Sequence, residues 1–347
     1  MPELRTDWLT GRSVFLAENR ALRPNEFAAP TVGEPASAGG GLAATCPFCA
    51  GNEARTPPAV YETCDAAGRW LVRVVPNAYP AVNNLSGVEG FENWAHNLPA
   101  AEAASPAAEL QLAMGVMGAH EVIVESPGHV DRMAGLSVAQ LRNVVSAYSE
   151  RLRHWRNGRR LRYGLVFKNQ GPRAGASLAH VHSQLIALPF IPPAVEAEIG
   201  RAAQRRQQTG RCAYCELIEQ ERSAGERVVF DTDDFFAFCP FAIWQPHEVW
   251  LMPTNHEPSF ELSSAERLDR LAPALHHLFV RLDAVAPNLH FNMLLRTAPF
   301  GGDYDAACHW RIELLPRANS LAGLEVATGL HINPLPPERA AQQLRSA

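Results

Sequence analysis

The chain has 347 residues, 47% of them hydrophobic and 19% charged, with 27 prolines and a formal net charge of -5. That is enough for two domains or one large one with a sizeable core and many turns. The acidic balance excludes a general nucleic-acid binder, and no stretch reaches the uninterrupted apolar length of a membrane helix.

The N-terminus, Met1 to Asp7, has no signal-peptide core, so the expected location is cytoplasmic. In a reducing compartment, seven cysteines suggest metal ligands or buried thiols before disulfides. Arg5, Arg12, Arg20 and Arg23 spread through the first segment, and the run from Pro35 to Gly41 reads as a mobile loop. Trp70 to Val75 reads as a strand stopped by Pro76, and Ala119 to Glu125 as another, ended by Ser126-Pro127-Gly128. Ser137 caps a helix through Trp155, with Leu141, Val144, Val145, Tyr148 and Leu152 at helical spacing. Tyr163 to Asn169 is a further strand. Pro189 to Pro193 closes the first half, and an Arg/Gln-rich helix from Val195 to Gln208 leads into the second.

The second half then repeats the first. Cys46-Pro47-Phe48-Cys49 returns as Cys212-Ala213-Tyr214-Cys215, and His120-Glu121-Val122 as His247-Glu248-Val249. His129 returns as His256. His180-Val181-His182 returns as His309-Trp310-Arg311, and the helix start at Ser137 returns at Ser263-Ser264. The expected fold class is therefore α+β: two diverged copies of one strand-rich unit.

Two thiolates on a tight turn can both reach one tetrahedral ion. Cys46 and Cys49 with His129 and His180 would make one closed Cys₂His₂ site. Cys212 and Cys215 with His256 and His309 would make the other. Both would be structural zinc sites. Cys64, Cys239 and Cys308 have no matched partner and read as buried thiols.

His180, His182 and Gln184 alternate along a strand, so they share one face. With His180 on a metal, His182 is available as a nucleophile towards an activated phosphorus. A neutral imidazole attacks through one ring nitrogen when a backbone carbonyl fixes the other as N–H. Gln184 can donate its amide to a non-bridging phosphoryl oxygen. The preceding turn, Gly171 to Ser177, has glycines and backbone N–H groups suited to cradling phosphate oxygens. The second half has Arg311 where the first has His182, which suggests one live site.

These residues resemble the galactose-1-phosphate uridylyltransferase family, in the histidine-triad superfamily. The resemblance runs through Arg20-Ala21-Leu22-Arg23-Pro24, Cys46 to Glu53, Val75-Pro76-Asn77-Ala78-Tyr79, Ser126-Pro127-Gly128-His129 and Phe167-Lys168-Asn169. It continues through Gly175-Ala176-Ser177 and His180 to Gln184, and ends in Ala322-Gly323-Leu324-Glu325, Gly329 and Ile332-Asn333-Pro334.

The resemblance implies two tandem histidine-triad-like units, here 1–194 with the nucleophile and 195–347 without it. It implies a homodimer that binds a nucleotide sugar and a sugar phosphate or inorganic phosphate. His182 takes a nucleoside monophosphate covalently and passes it on, with Gln184 assisting. Arg20, Arg23, Arg55, Asn77, Asn169, Gly175, Ala176, Ser177, Gln184, Gly323 and Glu325 are the expected substrate-binding residues. The leading activity is uridylyl transfer between UDP-glucose and a hexose 1-phosphate. Val181 stands where the uridylyltransferases typically have proline, and both halves carry a full Cys₂His₂ set. Both features resemble the ADP-glucose phosphorylase branch, which is the alternative. A nucleotide hydrolase and a zinc-held binding module are the remaining readings. Gln184 in place of a third histidine favours transfer over hydrolysis.

Overall fold

The computed structural model describes residues 3–7, 13–16, 42–87, 111–158, 160–318, 323–328 and 333–347. Fourteen strands are described: β1 (Glu3–Asp7), β2 (Ser13–Leu16), β3 (Tyr61–Cys64), β4 (Trp70–Pro76), β5 (Asn83–Asn84), β6 (Gln111–Gly115), β7 (Met117–Val124), β8 (Tyr163–Gln170), β9 (His182–Leu188), β10 (Val228–Asp231), β11 (Phe235–Phe238), β12 (Val249–Pro253), β13 (Phe291–Arg296) and β14 (Arg311–Pro316). The helices are α1 (Leu42–Thr45), α2 (Val138–Arg156), α3 (Pro193–Thr209), α4 (Ala213–Ala224), α5 (Ala265–Val285), α6 (Gly323–Thr328) and α7 (Pro337–Ser346). Arg20, Arg23 and the Pro35 to Gly41 run lie outside the described residues.

The main sheet runs β10-β11-β12-β14-β13-β8-β9-β7-β4-β3, antiparallel throughout, with β5 added parallel to β7. The order reads the same from either end: β3-β4-β7-β9-β8 in one half matches β10-β11-β12-β14-β13 in the other. The halves meet where β8 pairs β13, with Phe167 opposite Leu294. A pseudo-twofold axis passes through that pair. It exchanges the Val166–Leu295 pair with the Lys168–Met293 pair on either side.

The strand register corrects one part of the repeat. Ile123 pairs with Ser183, the residue after His182, and Leu251 pairs with Ile312, the residue after Arg311. Val122 is therefore equivalent to Trp250, and His120 to Glu248. The two His-Glu-Val runs are one residue out of register, and His247 precedes β12 with a left-handed φ of 61°. The shared letters therefore do not occupy equivalent places in the two sheets.

One face of the sheet carries the helices. Ser137 accepts the Gln140 N–H at 3.1 Å and caps α2, whose Leu141, Val144, Tyr148, Leu152 and Trp155 are buried. Ser264 does the same for α5, where Leu271, Leu275, Leu278 and Leu282 form the buried stripe. The two helices pack on each other and on a single core with Val74, Ile123, Val166, Leu185, Met293 and Ile312. Alternate residues, Val122, His182 and Gln184 among them, face the other way. Cys64 is exposed on the edge strand β3, contrary to the buried thiol expected; Cys239 and Cys308 are buried.

Candidate active site

Two Cys/His clusters are fully assembled. The ligand atoms of Cys46, Cys49, His129 and His180 all lie within 4.8 Å of one another, as do those of Cys212, Cys215, His256 and His309. Sulfur-to-Nδ1 separations are 3.4–3.6 Å in the first and 3.6–3.7 Å in the second. A tetrahedral ion with sulfur at about 2.3 Å and nitrogen at about 2.0 Å holds them about 3.5 Å apart, so both donor sets fit such an ion.

Backbone carbonyls fix the imidazoles. His180 Nε2 lies 2.8 Å from Ser126 O, His309 Nε2 3.0 Å from Pro253 O, and His256 Nε2 3.0 Å from Asp305 O. A carbonyl only accepts, so each Nε2 carries the proton and each Nδ1 the lone pair. Burial also pushes the His180 pKa down to about 4, which keeps the ring neutral. The first cluster is largely buried; in the second, His256 is exposed.

His180 sits in the bend just before β9, not within the strand as the alternation predicts. His182 opens the strand, and its Nδ1 lies 2.7 Å from the carbonyl of His180. Nδ1 is therefore the protonated nitrogen and Nε2 carries the lone pair. The Phe48 ring packs against it at 5.1 Å between centroids. The CxxC turn thus places both a metal ligand pair and an aromatic wall beside the histidine.

Behind the strand lies a buried network. The Lys168 ammonium donates to the His182 carbonyl at 2.9 Å and to Glu125 at 2.5 Å. Glu125 also accepts from Tyr148 and Ser183, each at 2.5 Å. Burial pulls the lysine pKa down and pushes the tyrosine well up.

A cavity of about 210 Å³ joins His182 and Gln184 to Phe48, Arg55, Asn77, Tyr79, Val122 and Ser177. Five predicted residues, Arg55, Asn77, Ser177, His182 and Gln184, are thereby brought together. Arg55 donates Nη1 to the Thr45 carbonyl at 2.8 Å.

Asn169 lies near the end of β8, and Gly175 and Ala176 lie in the turn that follows it. Gly171 has φ of 81°, and a Cβ there would meet His290 at 2.2 Å. Gly175 has φ of 87°. Both positions therefore need glycine. The turn is pinned from the other half: Asn292 Nδ2 donates to Asn169 Oδ1 at 2.8 Å and to the Ala174 carbonyl at 2.9 Å. Gly323 opens α6 and is exposed, apart from the cavity lining described, and the Glu325 side chain lies outside the described residues.

Sequence reasoning missed Phe48, Tyr79, His120 and Asn292. Phe48 and Tyr79 stood inside motifs noted for their neighbours. His120 stood in a misaligned repeat, and nothing in the order of residues places Asn292 of β13 against β8.

The equivalent place in the second half is also a cavity, of about 830 Å³, but a cation stands where His182 would be. Arg311 is buried, 4.5 Å over the Trp250 ring and 5.3 Å from that of Tyr214. It pairs with Glu198 of α3 at 2.8 Å and with Glu313 at 2.6 Å. Those carboxylates raise its pKa against the cost of burial. Arg311 is the residue equivalent to His182.

The chain matches the family model described as Domain of unknown function (DUF4921) over residues 93–347. It is 29% identical to ADP-glucose phosphorylase of Arabidopsis thaliana, covering 99% of this chain and 92% of that protein. It is 30% identical to galactose-1-phosphate uridylyltransferase of Thermotoga maritima, over 66% of this chain and 74% of the relative. The structure of the Arabidopsis ADP-glucose phosphorylase with bound ADP-glucose matches with a TM-score of 0.73 and 27% identity, covering 100% of this chain and 99% of that one. A uridylyltransferase structure matches at TM-score 0.74 and 28% identity, over 99% and 98%. No described helix is long and apolar enough to cross a membrane. The matched relatives are enzymes, and this chain, which carries the DUF4921 domain, belongs to the galactose-1-phosphate uridylyltransferase family, with its resemblance to ADP-glucose phosphorylase running nearly end to end.

Proposed function

We propose that the protein moves a nucleoside monophosphate from a sugar nucleotide to a phosphate-bearing acceptor through a covalent intermediate on His182. The observation that carries this reading is the His182 Nδ1 contact with the His180 carbonyl, 2.7 Å long, on a ring that lines the cavity. It leaves Nε2 as the nucleophilic atom.

In the first step the Nε2 lone pair attacks the α-phosphorus. The bond to the bridging oxygen breaks, and the sugar 1-phosphate leaves with that electron pair. In the second, an acceptor phosphate oxygen attacks the same phosphorus, the P–N bond breaks, and its electrons return to Nε2. Gln184 donates to the non-bridging oxygen on which charge accumulates. Arg55, Asn77 and Ser177 hold the substrate, and Asn169 with the end of the glycine turn lies toward its phosphates; the Gly175 and Ala176 N–H groups are spent within the turn, on the Pro172 and Gly171 carbonyls at 3.0 and 3.2 Å.

Zinc in both Cys₂His₂ clusters cross-links the chain and fixes His180 beside the nucleophile. The chain divides into units 1–194 and 195–347, of the histidine-triad type, and functions as a cytoplasmic homodimer.

Family membership supports UDP-glucose as the donor and a hexose 1-phosphate as the acceptor. The end-to-end similarity to ADP-glucose phosphorylase, 99% of the chain against 66% for the bacterial uridylyltransferase, supports ADP-glucose with inorganic phosphate, and we place that second reading first. Intact-protein mass after brief incubation with each sugar nucleotide tests the proposal. The wild type should gain one adenylyl group from ADP-glucose, or one uridylyl group from UDP-glucose, and His182→Ala should gain neither. An unlabelled wild type would end the covalent reading.

A further inference from the structure

We propose that His120 is a positioning residue that sets the amide of Gln184, so that its N–H, and not its carbonyl, faces the phosphoryl group. The inference rests on the nucleotidyl-transfer reading above.

His120 is 1% exposed on β7. It lies diagonal to Gln184 on the cavity face, since Gln184 pairs with Val122 and His120 with Ile186. The backbone N–H of Ala81 lies 3.0 Å from His120 Nδ1. A backbone N–H can only donate, so Nδ1 accepts and holds no proton. In the neutral ring the proton is then on Nε2, which lies 2.9 Å from Gln184 Oε1. Nε2–H requires an acceptor, and only the carbonyl oxygen of the glutamine supplies one.

Asn77 adds a second donor to the same oxygen. The Tyr79 N–H takes Asn77 Oδ1 at 2.9 Å, which turns Asn77 Nδ2 to within 3.4 Å of Gln184 Oε1 and 3.1 Å of His120 Nε2; the two nitrogens, both donors, do not bond each other but share the one oxygen as acceptor. Two donors thus hold the glutamine oxygen on the β4–β7 side, and its Nε2 is the group left to the cavity. The histidine is itself clamped: Asn84 accepts the His120 N–H and donates to the His120 carbonyl, each at 2.8 Å.

The chain of constraint runs from a backbone amide through one tautomer to an oriented donor. Without it the amide can turn over and present a carbonyl oxygen to a developing anion. In the second half the equivalent pair is Glu248 and Glu313, two carboxyl groups with no amide to orient.

The test uses single-turnover formation of the nucleotidyl-protein with ADP-glucose and UDP-glucose. His120→Asn keeps an acceptor near the Nδ1 position and removes the Nε2–H. It should slow labelling at least about tenfold, within the range seen for loss of an oxyanion donor, with little change in the donor concentration for half-saturation. His120→Gln restores a donor near the Nε2 position and loses the Ala81 contact. It should label within a few-fold of wild type even if it melts earlier, a dissociation that a purely structural role does not produce. The His120→Asn, Gln184→Ala double variant should be no slower than Gln184→Ala alone. An unslowed His120→Asn, or a penalty that persists in full without Gln184, overturns the assignment while leaving the covalent reading intact. A wild type labelled by neither donor overturns both.

Discussion

The ammonium of Lys168 donates to the main-chain carbonyl of His182 across 2.9 Å, from the face of the sheet opposite the cavity. The same ammonium neutralises Glu125, so the backbone that carries His182 is held by a buried ion pair. Lys168→Met leaves the Glu125 carboxylate without its counter-ion. The expected cost is about 3–5 kcal/mol in denaturant unfolding. Lys168→Met with Glu125→Gln should recover most of it, because the second change removes the stranded charge. Equal losses in the single and double variants would show that the pair is not the source.

The two metal clusters should differ in lability. His256 is exposed, whereas the first cluster has only His129 partly open. Metal analysis of the purified protein should find two zinc ions per chain. On chelation, one ion leaves quickly with most activity retained, and the second leaves slowly, taking activity and thermal stability with it. Cys46→Ser should mimic the slow loss and Cys215→Ser the fast one.

Arg311 takes the place of His182 in the second half. Arg311→Met leaves Glu198 and Glu313 without their shared cation, and the expected destabilisation is again about 3–5 kcal/mol by chemical denaturation. The rate of nucleotidyl-protein formation per folded molecule should not change, since no reacting group stands there. A rate that falls in proportion to stability loss at a temperature where the protein is fully folded would contradict this.

Glu248 supplies a pH signature. Burial, with Glu313 nearby, raises its pKa from the ordinary 4.5 to about 7. Between those values the folded state binds a proton that the unfolded state does not, so stability falls as pH rises from about 4.5 to 7. Glu248→Gln abolishes that slope. It should gain on the order of 1–3 kcal/mol over wild type at pH 8, and little at pH 4. Stability measured across this range for both proteins checks the sign.

Much of this was legible in the order of residues. Ser137 and Ser264 cap the helices whose apolar spacing announces them, and each CxxC meets the histidines that its copy predicts. Alternation correctly put His182 and Gln184 on one face. What alternation does not contain is the pairing register between strands, and there the reading slipped. The shared His-Glu-Val letters align, yet the strand register makes His120 the equivalent of Glu248, not of His247. Asn292 and Lys168 were equally hidden as site-builders, because their partners lie more than a hundred residues away or on the far side of a peptide carbonyl.

The seam between β8 and β13 has a consequence for anyone cutting the gene. Five residue pairs, from Phe291–Gln170 to Leu295–Val166, are all that the central ladder contains. A fragment ending at residue 194 would expose β8 as a long bare edge rich in apolar residues, the kind that recruits another strand. Because the axis runs through Phe167, a second copy of that same fragment presents the matching edge in the matching direction. The severed half should therefore purify as a self-paired dimer with two nucleophilic histidines, a molecule more symmetric than its parent.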